Sequence, residues 1–504
     1  MKYTPWELFE SSCRKFDNKT MVVFNGKEYS YAQMREKVSQ CGNLLNQWDF
    51  RIGGIYLPNS VDFITYMLAL NSSRKVVVPL SYQFRGEVLK ELINYSDIEI
   101  LVTDKSGYSE IEQFGNQLHI KKAVILLDSN NIEVRDFTTV NEQKYALGED
   151  TFCICFTSGS TSRPKGIVLS NFAAAGNAWA VADYLNFGSE EKTIVPRSLA
   201  QASPITGDIL MTISRGGTII ILNDLFHPAI FLKAVQDYKA TNVFMIRTMF
   251  SQILEYPQLK SFDTGSMKRI MLGGMINPSA VFRQAAEKLP QIGLYNAYGL
   301  SEASARVSFL GPEDVTRFPG SIGKPMSGCD IKIYRDDGTE AAAGEVGELY
   351  VTSNYMMDGY YKALELTAET LTVKGLRTRD IGYKDDNGMT YVIGRNDDLI
   401  IQGGNKVYPS EIEEILLMNH SIEEAVILGI EDEKLGQRIV ALVRCAEGSS
   451  LDSYGIYLWC TRNLENKKIP KDIRIVDRIP RNALGKINRK DLKAFYKSLE
   501  EAKI

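Results

Sequence analysis

The sequence predicts an α/β protein, and three patterns along its 504 residues carry that prediction. From about residue 50 to 330, short β-branched runs that are apolar at every position alternate with longer segments of helical period, as expected of strands buried on both faces by flanking helices. Between about 320 and 395 the chain changes to short strands punctuated by glycine. Beyond Gly394-Arg395 a third pattern of mixed helix and strand runs to the end. At about 150 residues per domain the length alone suggests three to four units, or two if one is large.

The elements follow in order. Ile98 to Val102, Lys122 to Leu127, Thr218 to Leu222, Asn242 to Ile246 and Arg269 to Leu272 read as the buried strands. Gly344 to Val351, then the turn Asp385-Asp386-Asn387-Gly388 and the run Met389 to Ile393, read as hairpins of a small antiparallel unit. Pro409-Ser410-Glu411-Ile412 opens a helix with a serine N-cap and an acidic first turn. Strands over Ala425 to Ile430 and Ile439 to Arg444 and a helix over about Leu451 to Leu464 complete an α+β unit of about 110 residues, enough to fold by itself.

Composition narrows the function. Hydrophobic residues at 44% and charged residues at 24% exclude bulk disorder. A formal charge of −4 excludes a polybasic nucleic-acid surface over the whole chain. Residues 467–497 hold 11 basic against 3 acidic residues, +8, which leaves −12 elsewhere. Few aromatics accompany them, so a solvated face with Lys486 as its functional member is the preferred reading over a nucleic-acid patch. No apolar stretch is long enough to cross a bilayer and the start is amphipathic rather than signal-like, so a cytoplasmic protein without nucleic-acid partners is expected. The seven cysteines lack paired metal or redox spacing, and Cys153 and Cys155 are expected as buried thiols on one strand face. The three histidines, His119, His227 and His420, form no local metal motif.

The most informative window is Thr157-Ser158-Gly159-Ser160-Thr161-Ser162-Arg163-Pro164-Lys165-Gly166, directly after the apolar run Phe152 to Phe156. Hydroxyls and backbone N–H groups donate to phosphate oxygens, glycine admits the backbone closely, and lysine supplies a point charge. Pro164 before the lysine and Gly166 after it exclude a Walker A loop. This window resembles the TSGTTGxPKG loop of the adenylate-forming superfamily of acyl- and aryl-CoA synthetases, luciferases and peptide-synthetase adenylation domains, with Ser162 in place of the second glycine. The resemblance extends nearly end to end and includes Leu57-Pro58-Asn59-Ser60.

The resemblance implies a large N-terminal domain of flanked β-sheets over 1–395, its last part (about 320–395) a small β-barrel-like unit, and a mobile C-terminal α+β lid over 396–504. It implies a site for ATP and Mg2+ with CoA or a carrier-protein phosphopantetheine as thiol acceptor. Tyr295-Asn296-Ala297-Tyr298-Gly299-Leu300-Ser301-Glu302 is similar to NxYGxTE: Tyr298 packs on adenine, Ser301 bonds the α-phosphate and Glu302 holds the metal, with Asn296 and Gly299 in the same cradle. A carboxylate oxygen suits a hard cation that also binds phosphates. The Gly273-Gly274 pair belongs to the nucleotide site. Thr378-Arg379-Asp380 falls on TGD, whose aspartate accepts from both ribose hydroxyls, with Arg379 replacing glycine. Gly394-Arg395-Asn396-Asp397-Asp398 matches GRxDD, which implies a ribose or phosphate ligand in Arg395 and a hinge in Asp397. Gln402 to Glu413 resembles the loop and helix that meet the thiol, and Pro480 to Ile487 matches PRxxxGKI, whose lysine, Lys486, is catalytic together with Lys165 and Glu302.

The acid is less legible. Pro196 to Pro204 falls where relatives line the acid pocket; no aspartate sits there for an α-ammonium, which disfavours amino acids, and Gln201 offers a neutral amide. Arg247 either faces the pocket and pairs with a second carboxylate or faces outward, and Met275 either lines an adaptable cavity or is plain core. Three functions stay open: a CoA ligase, a stand-alone enzyme loading an acyl or amino acid on a carrier protein, and a nucleotide-binding protein of this fold without ligase activity.

Overall fold

The computed structural model describes residues 3–127, 131–137, 145–157, 165–223, 226–274, 277, 279–481 and 487–501. Three sheets organise them. The centre of the first is parallel, with Thr20–Phe24, Thr218–Ile221, Lys192–Val195, Asn242–Met245, Arg269–Leu272 and Gly293–Tyr298 side by side. Every residue of Thr218–Ile221 and Asn242–Met245 is buried, as runs apolar at each position require.

Beyond Gly293–Tyr298 the same sheet turns antiparallel through Ser308–Leu310, Ser321–Pro325, Thr390–Arg395, Gly375–Lys384, Gly347–Ser353 and Cys329–Tyr334. The glycine-punctuated unit is therefore hydrogen-bonded to the parallel core, and the Tyr298 and Asp380 segments belong to one sheet.

The second sheet runs Gly359–Tyr360, Lys165–Ser170, Thr151–Thr157, Val76–Pro79, Ile52–Tyr56, Ile100–Asp104, Lys122–Leu126 and Ile132–Asp136, parallel in its middle. The helices Val61–Ser72 and Asn171–Tyr184 are buried in the large apolar core, and ten of the twelve residues of the former are buried. Ser60 caps its first turn by accepting from the N–H of Phe63 at 3.2 Å. The adjacent Asn59 braces the two sheets: its amide donates to the carbonyls of Arg197 and Leu222 at 2.9 and 3.1 Å and accepts from the N–H of Leu199 at 2.8 Å. The Leu57 to Ser60 segment thus holds the chain that enters the expected acid pocket.

The third sheet holds Asn405–Val407, Ile400–Gln402, Gly436–Cys445 and Ile422–Asp432, with Asp472–Ile475 parallel to Gly436–Cys445. Ile427 and Ala441 pack on one face with the helices Pro409–Leu417 and Ser453–Asn463. Val426, Leu428 and Leu442 pack on the other against Leu492 and Tyr496 of the helix Arg489–Glu501. The expected serine cap is corrected: Tyr408 is the N-cap residue and Pro409 the first helical residue, where a missing N–H costs nothing. Ser410 instead donates to the carbonyl of Ile393, across the junction between first and third sheets. Among the described residues, no helix is long and apolar enough to cross a membrane.

Candidate functional site

The strand Thr151–Thr157 returns antiparallel as Lys165–Ser170, with Thr157 opposite Lys165. The expected phosphate contacts Ser158, Gly159, Ser160 and Thr161 lie between them, outside the described residues, as do Met275 and Lys486. Cys153 and Cys155 are buried with their sulfurs 3.6 Å apart, the shared face expected of alternate strand residues.

Lys165 stands at the base of that hairpin with Nζ 5.6 Å from the ring centroid of Tyr360. The short strand Gly359–Tyr360 pairs with Lys165–Ser170 and places the phenol there. Tyr360 Oη donates to Glu302 Oε1 at 2.7 Å, and the N–H of Met357 donates to the carbonyl of Glu302 at 2.8 Å. Burial, then the Glu302 carboxylate, drives the Tyr360 pKa far upward, so the phenol remains a donor. Tyr360 was not singled out in the sequence; a glycine-tyrosine pair gives no local signal.

Tyr298, at the end of Gly293–Tyr298, donates to Asp380 Oδ2 at 2.6 Å. Burial and the neighbouring carboxylate raise its pKa well above the ordinary value. Asp380 lies opposite Arg395 in the strand register, with Oδ1 3.4 Å from Arg395 Nε. Burial pushes the Asp380 carboxyl up to about 6, against the opposing pull of Arg395 and Tyr298. For Arg395, burial opposes the charge, yet Asp380, Asp397 and Asp398 together raise its pKa. Arg379 stands at φ +62° and donates to Asp397 Oδ1 at 3.1 Å.

Two glycines are dictated by close approach. A Cβ on Gly299 would stand 1.8 Å from the carbonyl oxygen of Ala305, and one on Gly273 would stand 2.5 Å from Phe244 Cζ and 2.9 Å from the Ala297 oxygen. Gly274 has φ +83°. Asn296 is buried and engaged by protein: it accepts from Asn277 at 2.9 Å and donates to the Ser321 carbonyl at 2.7 Å. Its place is therefore a brace between the glycine loop and the sheet. Ser301 and Glu302 share the 3-10 turn Ser301–Ala303.

Gln201 is half-buried at the start of the short helix Ala202–Pro204. Beside it is a charge cluster that the sequence did not reveal. Arg197 Nη2 donates to Asp208 Oδ2 at 2.6 Å, and Arg197 and Arg306 both donate to Ser203 Oγ, at 3.0 and 2.9 Å. Their guanidinium carbons lie 4.6 and 3.6 Å from the Phe244 ring centroid. Burial drives Arg306 down to about 9, against the attraction of Asp208. Arg247 opens the helix Arg247–Leu254, half-buried, within electrostatic reach of Glu413, Glu424 and Arg481 beyond the junction.

Among the described residues no group of three His, Cys, Asp or Glu could hold a metal ion. A single carboxylate such as Glu302, with Tyr360 donating to it, fits the chemistry of Mg2+, which binds through one or two carboxylates plus substrate phosphates.

Comparison with known proteins identifies the family and the fold. Residues 9–361 match the AMP-binding enzyme family and residues 411–486 match the AMP-binding enzyme C-terminal domain. The chain is 28% identical over 481 residues to a feruloyl-CoA synthase of an Amycolatopsis species, covering 95% of this chain and 96% of the relative. It is 26% identical over 485 residues to the indoleacetate–CoA ligase of Aromatoleum aromaticum, covering 94% of each. An amide bond synthetase from Marinactinospora thermotolerans, 24% identical, shares the fold with a TM-score of 0.87 over 98% of this chain and 99% of that one. With both parts of the family pattern present in order, over residues 9–361 and 411–486, the chain belongs to the AMP-binding enzyme family.

Proposed function

We propose that this protein is an AMP-forming acid–thiol ligase. It joins a carboxylic acid to the α-phosphate of ATP with release of pyrophosphate, then passes the acyl group to the thiol of CoA. The observation that carries the reading is the meeting of segments far apart in sequence: Lys165 and Tyr360 beside Glu302, and Tyr298 beside Asp380 and Arg395.

The chain's work in this reaction is positioning and charge stabilisation. Lys165 and the 158–161 hydroxyls hold the phosphates. Glu302, oriented by Tyr360, holds Mg2+, which neutralises charge on the phosphates when bound. Asp380 in its ionised form accepts from the ribose hydroxyls, with Tyr298 and Arg395 fixing its direction. Lys486 bridges the acid carboxylate and the nucleotide, so that two anions can approach. The 396–504 unit turns about the Asn396–Asp398 seam between the two steps, and the electrostatics of Arg247 favour a seam role for it over pairing with a second carboxylate on the acid.

The two relatives are named for aromatic acids, and Gln201 supplies a neutral amide near the acid, so an aryl or arylalkyl acid is the proposed substrate class. The test is product analysis with ATP, Mg2+ and a panel of aryl, fatty and dicarboxylic acids, with CoA, a carrier-protein pantetheine or a primary amine as acceptor. AMP, pyrophosphate and an aryl-CoA are expected. A thioester on carrier protein alone, or an amide alone, would replace CoA as acceptor; release of ADP would overturn the reading.

A further inference from the structure

Arg379 occupies a backbone position that its side chain makes costly. Its φ of +62° lies in the left-handed region that glycine enters freely and other residues do not. Backbone held in such a region persists where the surroundings over-determine it, and such outliers concentrate at functional sites. What the side chain finds there is Asp397, at 3.1 Å, both partners being 42% exposed.

Asp397 lies in the turn Asn396–Asp398 that links Thr390–Arg395 of the first sheet to Ile400–Gln402 of the third. Its neighbour Asp398 takes a partner from the other side: Oδ2 is 3.2 Å from Nε of Arg489, on the helix packed against the third sheet. Arg489 is itself fixed by donating to Glu413 Oε1 at 2.9 Å and to the Ile427 carbonyl at 2.7 Å. Two adjacent carboxylates are therefore held by two guanidinium groups, one from each unit.

We propose that Arg379 is a positioning residue that latches the seam turn in the orientation seen here and so sets how readily the C-terminal unit leaves it. This rests on the reading of Asp397 as hinge in a two-step reaction. In this orientation Arg481, five residues before Lys486, pairs with Glu424 and lies within electrostatic reach of Arg247 on the body. On the reading that this orientation is the one in which Lys486 serves adenylate formation, the latch favours that step over thiol transfer. A half-exposed ion pair biases such an equilibrium by at most about fivefold, and salt screens it.

Arg379→Gly removes the charge and the backbone penalty together. In hydrogen exchange on the intact ligand-free chain, the peptide spanning 394–402 is expected to exchange about two- to fivefold faster in the variant, and in the native chain at high salt, with no change elsewhere. In single turnover, preformed acyl adenylate is expected to be consumed about two- to fivefold faster on thiol addition, with KM for ATP unchanged. The double variant Arg379→Asp with Asp397→Arg restores the native value of both, since aspartate tolerates the left-handed backbone. Unchanged seam exchange with a raised KM for ATP would make Arg379 a nucleotide ligand and overturn the latch, as would failure of the charge swap to restore either value. If no acid is activated at all, the proposed reaction fails, while hydrogen exchange still decides the latch.

Discussion

The hydroxyl of Tyr360 donates to Glu302 Oε1 at 2.7 Å while its ring lies under Lys165, whose Nζ is 5.6 Å from the centroid. One side chain thus orients the proposed metal carboxylate and supports the proposed phosphate lysine. It can do so because Gly359–Tyr360 adds itself as an edge strand to Lys165–Ser170.

Removing the hydroxyl alone separates those two tasks. Tyr360→Phe keeps the ring under Lys165 and leaves Glu302 without its orienting donor. Loss of such an outer-shell partner lowers metal affinity by about 10- to 100-fold. Magnesium titration of ATP/pyrophosphate exchange is expected to require at least about tenfold more Mg2+ for half-maximal rate, with less than about threefold loss at saturation. An unchanged Mg2+ requirement would show that Tyr360 does not orient a metal ligand.

Asp380 gives the ligand-free protein a pH dependence of definite sign. Its folded pKa of about 6 lies above the ordinary 3.8, so between those values the folded state binds more protons than the unfolded state. Its contribution to stability is full below about 4 and is lost as pH rises through about 6. At about 1.4 kcal/mol per unit this amounts to about 3 kcal/mol. Asp380→Asn should therefore gain stability relative to the native chain between pH 4 and 7, measured by urea unfolding at each pH. A difference independent of pH would contradict the raised pKa.

The Arg197, Asp208 and Arg306 cluster is buried with, among the described residues, a single carboxylate for two guanidinium groups. Asp208→Asn leaves both cations without a counter-charge, and breaking a buried pair this way costs about 3 to 5 kcal/mol. Arg306→Met removes the cation whose pKa is driven down to about 9 and keeps an apolar stem against Phe244, so it is expected to cost less. Urea midpoints of the two variants check the order. A milder effect for Asp208→Asn would mean that the cluster relaxes or hydrates.

Gly299→Ala tests the cradle itself. Its Cβ would stand 1.8 Å from the Ala305 carbonyl oxygen, which forces the backbone between Tyr298 and Glu302 apart. Nucleotide affinity should fall at least about tenfold, measured by AMP binding, while Gly344→Ala, with no atom within 4 Å of the added methyl, should not alter it. Its own left-handed φ limits the second change to stability.

The fold class was legible because buried parallel strands such as Thr218–Ile221 announce themselves in every residue. The Tyr298 to Glu302 run and Asp380 could be singled out because each motif is contiguous, whereas residues 158–164 of the proposed phosphate window lie outside the described residues. Tyr360 and the Arg197, Asp208 and Arg306 cluster were not, because their partners are brought together by sheet order: Tyr360 meets Glu302 across 58 positions and Arg306 meets Ser203 across 103. The serine cap at Ser410 failed for a local reason, since Pro409 already fits the first helical position and moves the cap to Tyr408. The departure at Arg379 was visible as a missing glycine, but its partner Asp397 appears only when Gly375–Lys384 and Thr390–Arg395 pair.

Acid-dependent ATP/pyrophosphate exchange by the full chain with Mg2+ tests the central claim most directly. The account predicts exchange with at least one aryl or arylalkyl acid, none without acid, and loss of at least about 100-fold in Lys486→Ala with nucleotide binding retained. Absence of exchange with every acid, in a protein that still binds ATP, would contradict it.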